Sequence, residues 1–203
     1  MEPRELVDLK LAMEFGVAPE GETLPPARLN ADGLPRLLVS RFAGGEAIYF
    51  RFDVDRRVRD ELRALGTERL MTDESQVRSI LDRTALVEKL YRVRWYTIER
   101  LPQPVEYPDA TFQDGRYVVL VDGKVAAWAQ TDAESPVAAE VSIETLEAYQ
   151  RRGFARQVTA AWAAGVLSAG KVAYYSHLLH NTASQAVAAS LGLTHLSDEV
   201  EYI

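Results

Sequence analysis

The chain has 203 residues, 47% of them hydrophobic, with 30 acidic and 23 basic side chains and a formal net charge of -7. This composition fits one large globular domain, or a core with a substantial extra segment, and excludes disorder of the whole chain. An acidic chain is a poor partner for nucleic acid, so any anion site must be local, and the lack of cysteine removes disulfides, thiolate metal sites and a cysteine nucleophile.

The charged start MEPRELVDLK does not read as a secretory signal. ELVDLKLAMEF predicts a short helix, and the Pro- and Gly-rich GVAPEGETLPPARLNADG after it predicts a loop, so residues 1 to about 30 are expected to form an arm rather than part of the core. RLLVSRF and AIYFRFDV flank Ala43-Gly44-Gly45-Glu46 and predict a β-hairpin. Asp55 is placed to cap RRVRDELRALG, where Val58, Leu62 and Leu65 recur at helical spacing and Gly66 stands at the stop. A second helix, ESQVRSILDR, follows Asp73. VEKLYRVRWYTIER alternates loosely and predicts one or two strands, and LPQPVEYP then marks the boundary between a segment 1–105 and a segment 106–203.

In the second segment, RYVVLV and KVAAWAQ are joined by Asp122-Gly123, a two-residue turn whose central positions both need positive φ. AAEVSIETL predicts a strand and YQRRGFA a turn. A helix follows to about Ser168, with Phe154, Val158, Trp162 and Val166 spaced by four and Gly170 past its end. VTAAWAAGVLSAG within it is about half a membrane span, so no membrane role is expected. KVAYYSH predicts a strand, Asn181 caps TASQAVAASL, Gly192 closes that helix, and SDEVEYI predicts a last strand. The order is that of an α+β, mixed α/β fold: a sheet with helices packed on it.

A strand that runs through Gln150-Arg151-Arg152-Gly153-Phe154-Ala155 into a helix aims unpaired backbone N–H groups out of the helix start, where the dipole favours an anion. Gly153 permits close backbone approach, Ala155 keeps the next position small, and Arg151, Arg152 and Arg156 add positive charge. Taken alone, the turn also fits an ordinary connection with surface arginines.

The pattern Q-x-x-G-x-A at Gln150, Gly153 and Ala155, followed by a helix, a strand and N-x-x-S-x-x-V-A-x-x-L-G-L, resembles the GNAT superfamily of acyl-CoA-dependent N-acyltransferases over residues 106 to 203. EVSIETLEAYQRRGFARQVTAAW and HNTASQAVAASLGL are most similar to its zwittermicin-resistance-type branch. The resemblance implies a mixed, mostly antiparallel sheet with a splayed pair of strands, flanked by helices and carrying an N-terminal α+β extension. It implies acetyl-CoA as cosubstrate, with the pyrophosphate on the backbone amides of Gln150, Arg151, Arg152, Gly153, Phe154 and Ala155. Ile143 to Thr145 would pair with the pantetheine arm, and Asn181 and Ser184 would lie beside it.

Acyl transfer to an amine needs a base, because an alkyl ammonium has a pKa near ~10 in water. It also needs a donor for the oxyanion, for which the backbone amide near Thr145 is placed. Glu140 and Glu144 are the candidate bases, and Glu140 is preferred because it lies further upstream. Simple alternation puts Glu140, Ser142 and Glu144 on one strand face and Ile143 and Thr145 on the other, unless a bulge changes the phase. Many family members carry a tyrosine acid where this chain has Ala188, which leaves water or Ser184 for that role, or makes the role unnecessary; Ser184 reads equally as an N3 residue in a local cap, the preferred reading.

His177 and His180 read as loop residues and no metal is suggested, while Trp128, Trp162, Tyr174 and Tyr175 read as core. The expected activity is a cytoplasmic acetyltransferase acting on a small-molecule or peptide amine, with a noncatalytic acyl-CoA-binding module as the alternative. Residues 1–105 are expected to contact substrate, replace helices that usually precede the sheet, or mediate a homodimer.

Overall fold

The computed structural model describes residues 1–16, 18–26 and 33–203. Six α-helices and ten strands lie among them, in a mixed α/β fold whose strand pairs are mostly antiparallel. The chain divides into two compact units, Met1–Trp95 with Leu196–Ile203, and Tyr96–His195.

In the first unit α1 (Pro3–Phe15) starts on a reciprocal cap, with Glu2 N–H donating to Glu5 Oε2 at 2.9 Å. The expectation of a peripheral arm is corrected here. Val7 and Leu11, four residues apart and so on one helix face, are fully buried, and Lys10 beside them is buried too. The predicted loop over 16–33 lies partly outside the described residues. Within it Thr23–Leu24 forms β1, which pairs in parallel with β3 (Gly45–Arg51). β2 (Leu37–Phe42) and β3 make the predicted hairpin, turning on Ala43 and Gly44, the latter at φ 84°.

Asp55 Oδ1 accepts the Arg57 N–H at 2.8 Å and starts α2 (Arg56–Leu65); Asp73 Oδ1 accepts the Gln76 N–H at 3.0 Å and starts α4 (Glu74–Leu81). Between them stands α3 (Thr67–Thr72), which brings Leu70 and Met71 into the core. β4 (Leu90–Ile98) begins in this unit, and β10 (Thr194–Tyr202) ends in it, with Ser197–Tyr202 antiparallel to β2. Leu37, Val39, Phe50, Val58, Leu62, Val77, Leu81 and Tyr202 form the core.

The second unit contains β5 (Ala110–Gln113), β6 (Arg116–Val121), β7 (Lys124–Glu134), β8 (Ala138–Thr145), α5 (Phe154–Ser168), β9 (Val172–Leu178) and α6 (Thr182–Leu191). The strand order is β9-β8-β7-β6-β5, antiparallel except for β8 beside β9. Asp122 and Gly123 have φ 51° and 73°, the signs that the two-residue turn requires. α5 covers one sheet face, where Val158, Trp162 and Ala163 pack with Val119, Ala127, Ala139, Val141, Ala173 and Tyr175. Trp162, Tyr174 and Tyr175 are buried as expected, whereas Trp128 is half-buried with the Arg116 guanidinium 5.6 Å from its ring centroid. Among the described residues no helix is long and apolar enough to cross a membrane.

Candidate functional site

The site begins where two parallel strands part. β8 pairs with β9 at Ala138, Ala139 and Glu140, opposite Val172, Ala173 and Tyr174, and the register ends there. On its other side β8 stays paired with β7 as far as Thr145, opposite Ala127. Residues 141–145 therefore turn a backbone edge toward the opening between β8 and β9, and such an edge offers peptide groups to an extended ligand. The register shift in this region falls between Thr131 and Glu134 on β7, so β8 keeps its alternation. Ala139, Val141 and Ile143 face α5, leaving Glu140, Ser142 and Glu144 on the opposite face.

After β8 a single 3-10 turn, Glu147–Tyr149, leads to Gln150. Arg151 then adopts φ 61°, a left-handed conformation uncommon outside glycine, and Gly153 adopts φ 81° as the residue preceding α5. No side chain caps α5 and no acidic residue lies in its first turn. The open amides of that turn and the positive end of the helix dipole thus remain available to an anion. A Cβ built on Gly153 would meet no atom within 4 Å, so its φ, rather than crowding by the protein, demands glycine.

The turn, the end of β8 and the start of α6 enclose a groove of about 410 Å³, within the size range of small-molecule sites. Ile143, Glu144, Thr145, Gln150, Arg151, Gly153, Phe154, Ala155, Asn181 and Ser184 line it. The predicted cofactor residues are thereby brought to one cleft, apart from Arg152, whose guanidinium lies 5.5 Å from the Tyr149 ring centroid. Arg156, expected to add positive charge at the turn, also lines it, as do Tyr149, Ala183, Ala186, Val187 and Ser190, which were not singled out from the sequence as groove residues. The i, i+3 and i, i+4 spacing of Ala183, Ala186, Val187 and Ser190 on α6 was the available signal.

Thr145 Oγ1 is buried at the groove and has no hydrogen-bond partner among the described residues, which favours a polar ligand there. Asn181 Oδ1 accepts the Ser184 N–H at 3.1 Å, capping α6 and fixing the side-chain amide. Arg156 is tethered by Nε donating to the Ser190 carbonyl at 3.3 Å and by Glu106 at 3.5 Å. The Arg100 guanidinium, held in two 2.8 Å bonds, and the Gln103 N–H keep the Glu106 carboxyl low, at about 2.

Of the candidate bases, Glu144 is exposed and borders the groove. Glu140 does not border it; it is buried at the last paired position and accepts a 2.6 Å hydrogen bond from Ser176 Oγ. Ala188 is buried in the α5 cluster beside Tyr175, whose Oη donates to the Ser184 carbonyl at 3.1 Å. Burial pushes Tyr175 up to about 12, against a smaller opposing effect of the Ser184 side chain.

The loop assignment of His177 is corrected: it lies in β9, is buried, and its Nδ1 is 3.0 Å from the Leu178 carbonyl. Since a carbonyl only accepts, Nδ1 carries a hydrogen, and Nε2 lies 3.3 Å from Tyr96 Oη. The ring packs inside an aromatic cluster with Tyr96 and Tyr175. His180 lies in the turn before α6.

Residues 112–200 match the family model described as GNAT acetyltransferase. No curated protein matches the chain. Among solved structures, a GNAT-family acetyltransferase from Colwellia psychrerythraea aligns with a TM-score of 0.51 at 12% identity, covering 76% of this chain and 75% of its own. A putative GNAT-family acetyltransferase from Novosphingobium aromaticivorans aligns at 0.46 with 21% identity over 57% of this chain, which spans 65% of that protein's length. Residues 112–200 are thus similar to GNAT acetyltransferases, and the mixed α/β fold is like that of the Colwellia structure.

Proposed function

We propose that the protein is an N-acetyltransferase that moves an acetyl group from acetyl-CoA to an amine of a small molecule or peptide, by direct attack in a ternary complex. The carrying observation is the conjunction of the β8/β9 fork with the open N-terminus of α5 on one groove. The amides of residues 150–155 and the α5 dipole supply binding for a pyrophosphate. The edge of Ile143, Glu144 and Thr145 suits the amides of a pantetheine arm, and the Thr145 hydroxyl and Asn181 amide add polar contacts. Acetyl-CoA would supply the activated thioester. Glu140, on the strand face away from α5, acts as the base that removes the ammonium proton, and the Thr145 region provides an amide for developing charge on oxygen. Segment 106–203 carries this core, in a cytoplasmic protein, while residues 1–105 contact the acceptor or form a homodimer.

The test is free-thiol release from acetyl-CoA with a panel of polyamines, amino sugars and peptide N-termini. Release that depends on one class of amine supports the reading. A second reading, a noncatalytic acyl-CoA-binding module, is favoured by Ala188, which places no hydroxyl where family members carry an acid. It predicts thermal stabilisation by acetyl-CoA without thiol release from any amine.

A further inference from the structure

Glu140 is the last residue of β8 paired with β9, opposite Tyr174, and Ser176 stands two residues further along β9, where the strands have parted. Both side chains lie on the face away from α5, because Ala139, Val141, Ala173 and Tyr175 occupy the α5 face. The Ser176 hydroxyl donates to Glu140 Oε1 at 2.6 Å, bridging the opening at its root. A glutamate carboxylate has several rotatable bonds, and a base must lie within hydrogen-bond reach of the proton it removes. A short charge-assisted bond from a strand residue removes that freedom.

We propose that Ser176 is the positioning residue for Glu140: its hydroxyl holds the carboxylate at the fork, in reach of the amine. The inference rests on the acetyltransferase reading and on Glu140 as its base. Ser176 makes no bond to acetyl-CoA in this account, so its removal acts on turnover and not on cosubstrate binding.

The experiment measures kcat and acetyl-CoA Kd for the full chain, Ser176→Ala, Ser176→Thr, Glu140→Gln and the double variant Ser176→Ala/Glu140→Gln, using the amine that the wild-type chain turns over fastest in the panel. Ser176→Ala is expected to lower kcat roughly ten- to a hundredfold, as a misplaced catalytic group does, with Kd unchanged. Ser176→Thr, which keeps the hydroxyl, restores most of the rate. The double variant is no slower than Glu140→Gln alone, since residues acting as a unit are not additive. Ser176→Cys replaces Ser176→Ala if the latter does not fold. Wild-type turnover with Ser176→Ala equally fast, or a double variant slower by the product of the two effects, overturns the role of Ser176 and leaves the acetyltransferase reading standing. Acetyl-CoA binding without wild-type turnover of any amine overturns both.

Discussion

The phenolic hydroxyl of Tyr175 donates to the backbone carbonyl of Ser184 at 3.1 Å, tying β9 to the first turn of α6 beside the groove. Ala188 and the Tyr175 ring lie in the same buried cluster. Tyr175→Phe keeps the ring and removes the bond. It is expected to destabilise the fold by about 1–2 kcal/mol in urea unfolding, because a largely buried hydrogen bond between β9 and α6 is lost.

The same residue gives an alkaline signature. In the unfolded chain a tyrosine ionises near ~10, whereas burial raises Tyr175 to about 12 in the fold. The folded state then holds a proton that the unfolded state has lost. The contribution is fully present below the unfolded value and is lost as pH rises from there through about 12. Unfolding curves across this window should show a fall in stability that is smaller in Tyr175→Phe.

In the first unit, Lys10 Nζ lies 2.6 Å from Glu199 Oε2 and 3.0 Å from Glu14 Oε2, with the Lys10 and Glu199 side chains fully buried. Burial works to lower the pKa of Lys10, but attraction from Glu14, Glu199 and Glu201 outweighs it and holds the pKa above its usual value. Lys10→Met leaves buried carboxylates without their cation and is expected to cost about 3–5 kcal/mol. Lys10→Met/Glu199→Gln should recover part of that loss, measured by denaturant unfolding.

Gly165 sits in α5 with no positive φ, yet a Cβ there would collide with Tyr117 Oη. Gly165→Ala improves helix propensity by about 1 kcal/mol and overpacks the contact by about 1–3 kcal/mol. A net loss of stability is expected, and Gly165→Ala/Tyr117→Phe should reverse it.

Local chemistry made the caps at Asp55, Asp73 and Asn181, the Asp122-Gly123 turn and the uncapped glycine turn legible, because each depends on neighbours within a few residues. Short elements were not legible: β1 has two residues, β5 four and α3 six, too few for a period to register. Long-range partners were hidden as well. The burial of α1 depends on Lys10 finding Glu199, and that of His177 on Tyr96, each far away in the chain. Arg152 and Arg156 read alike in sequence, and the left-handed Arg151 and the Tyr149 ring separate them.

The central claim, that the start of α5 holds a pyrophosphate, is tested by isothermal titration of acetyl-CoA and of acetyl-pantetheine, which lacks the pyrophosphate, into the wild-type chain and Gly153→Val. The variant forces a β-branched side chain into φ 81° and into the open space of the groove. In a variant shown by circular dichroism to be folded, acetyl-CoA affinity should fall about tenfold or more while acetyl-pantetheine binding is unchanged. Undiminished acetyl-CoA affinity in the folded variant would contradict the account.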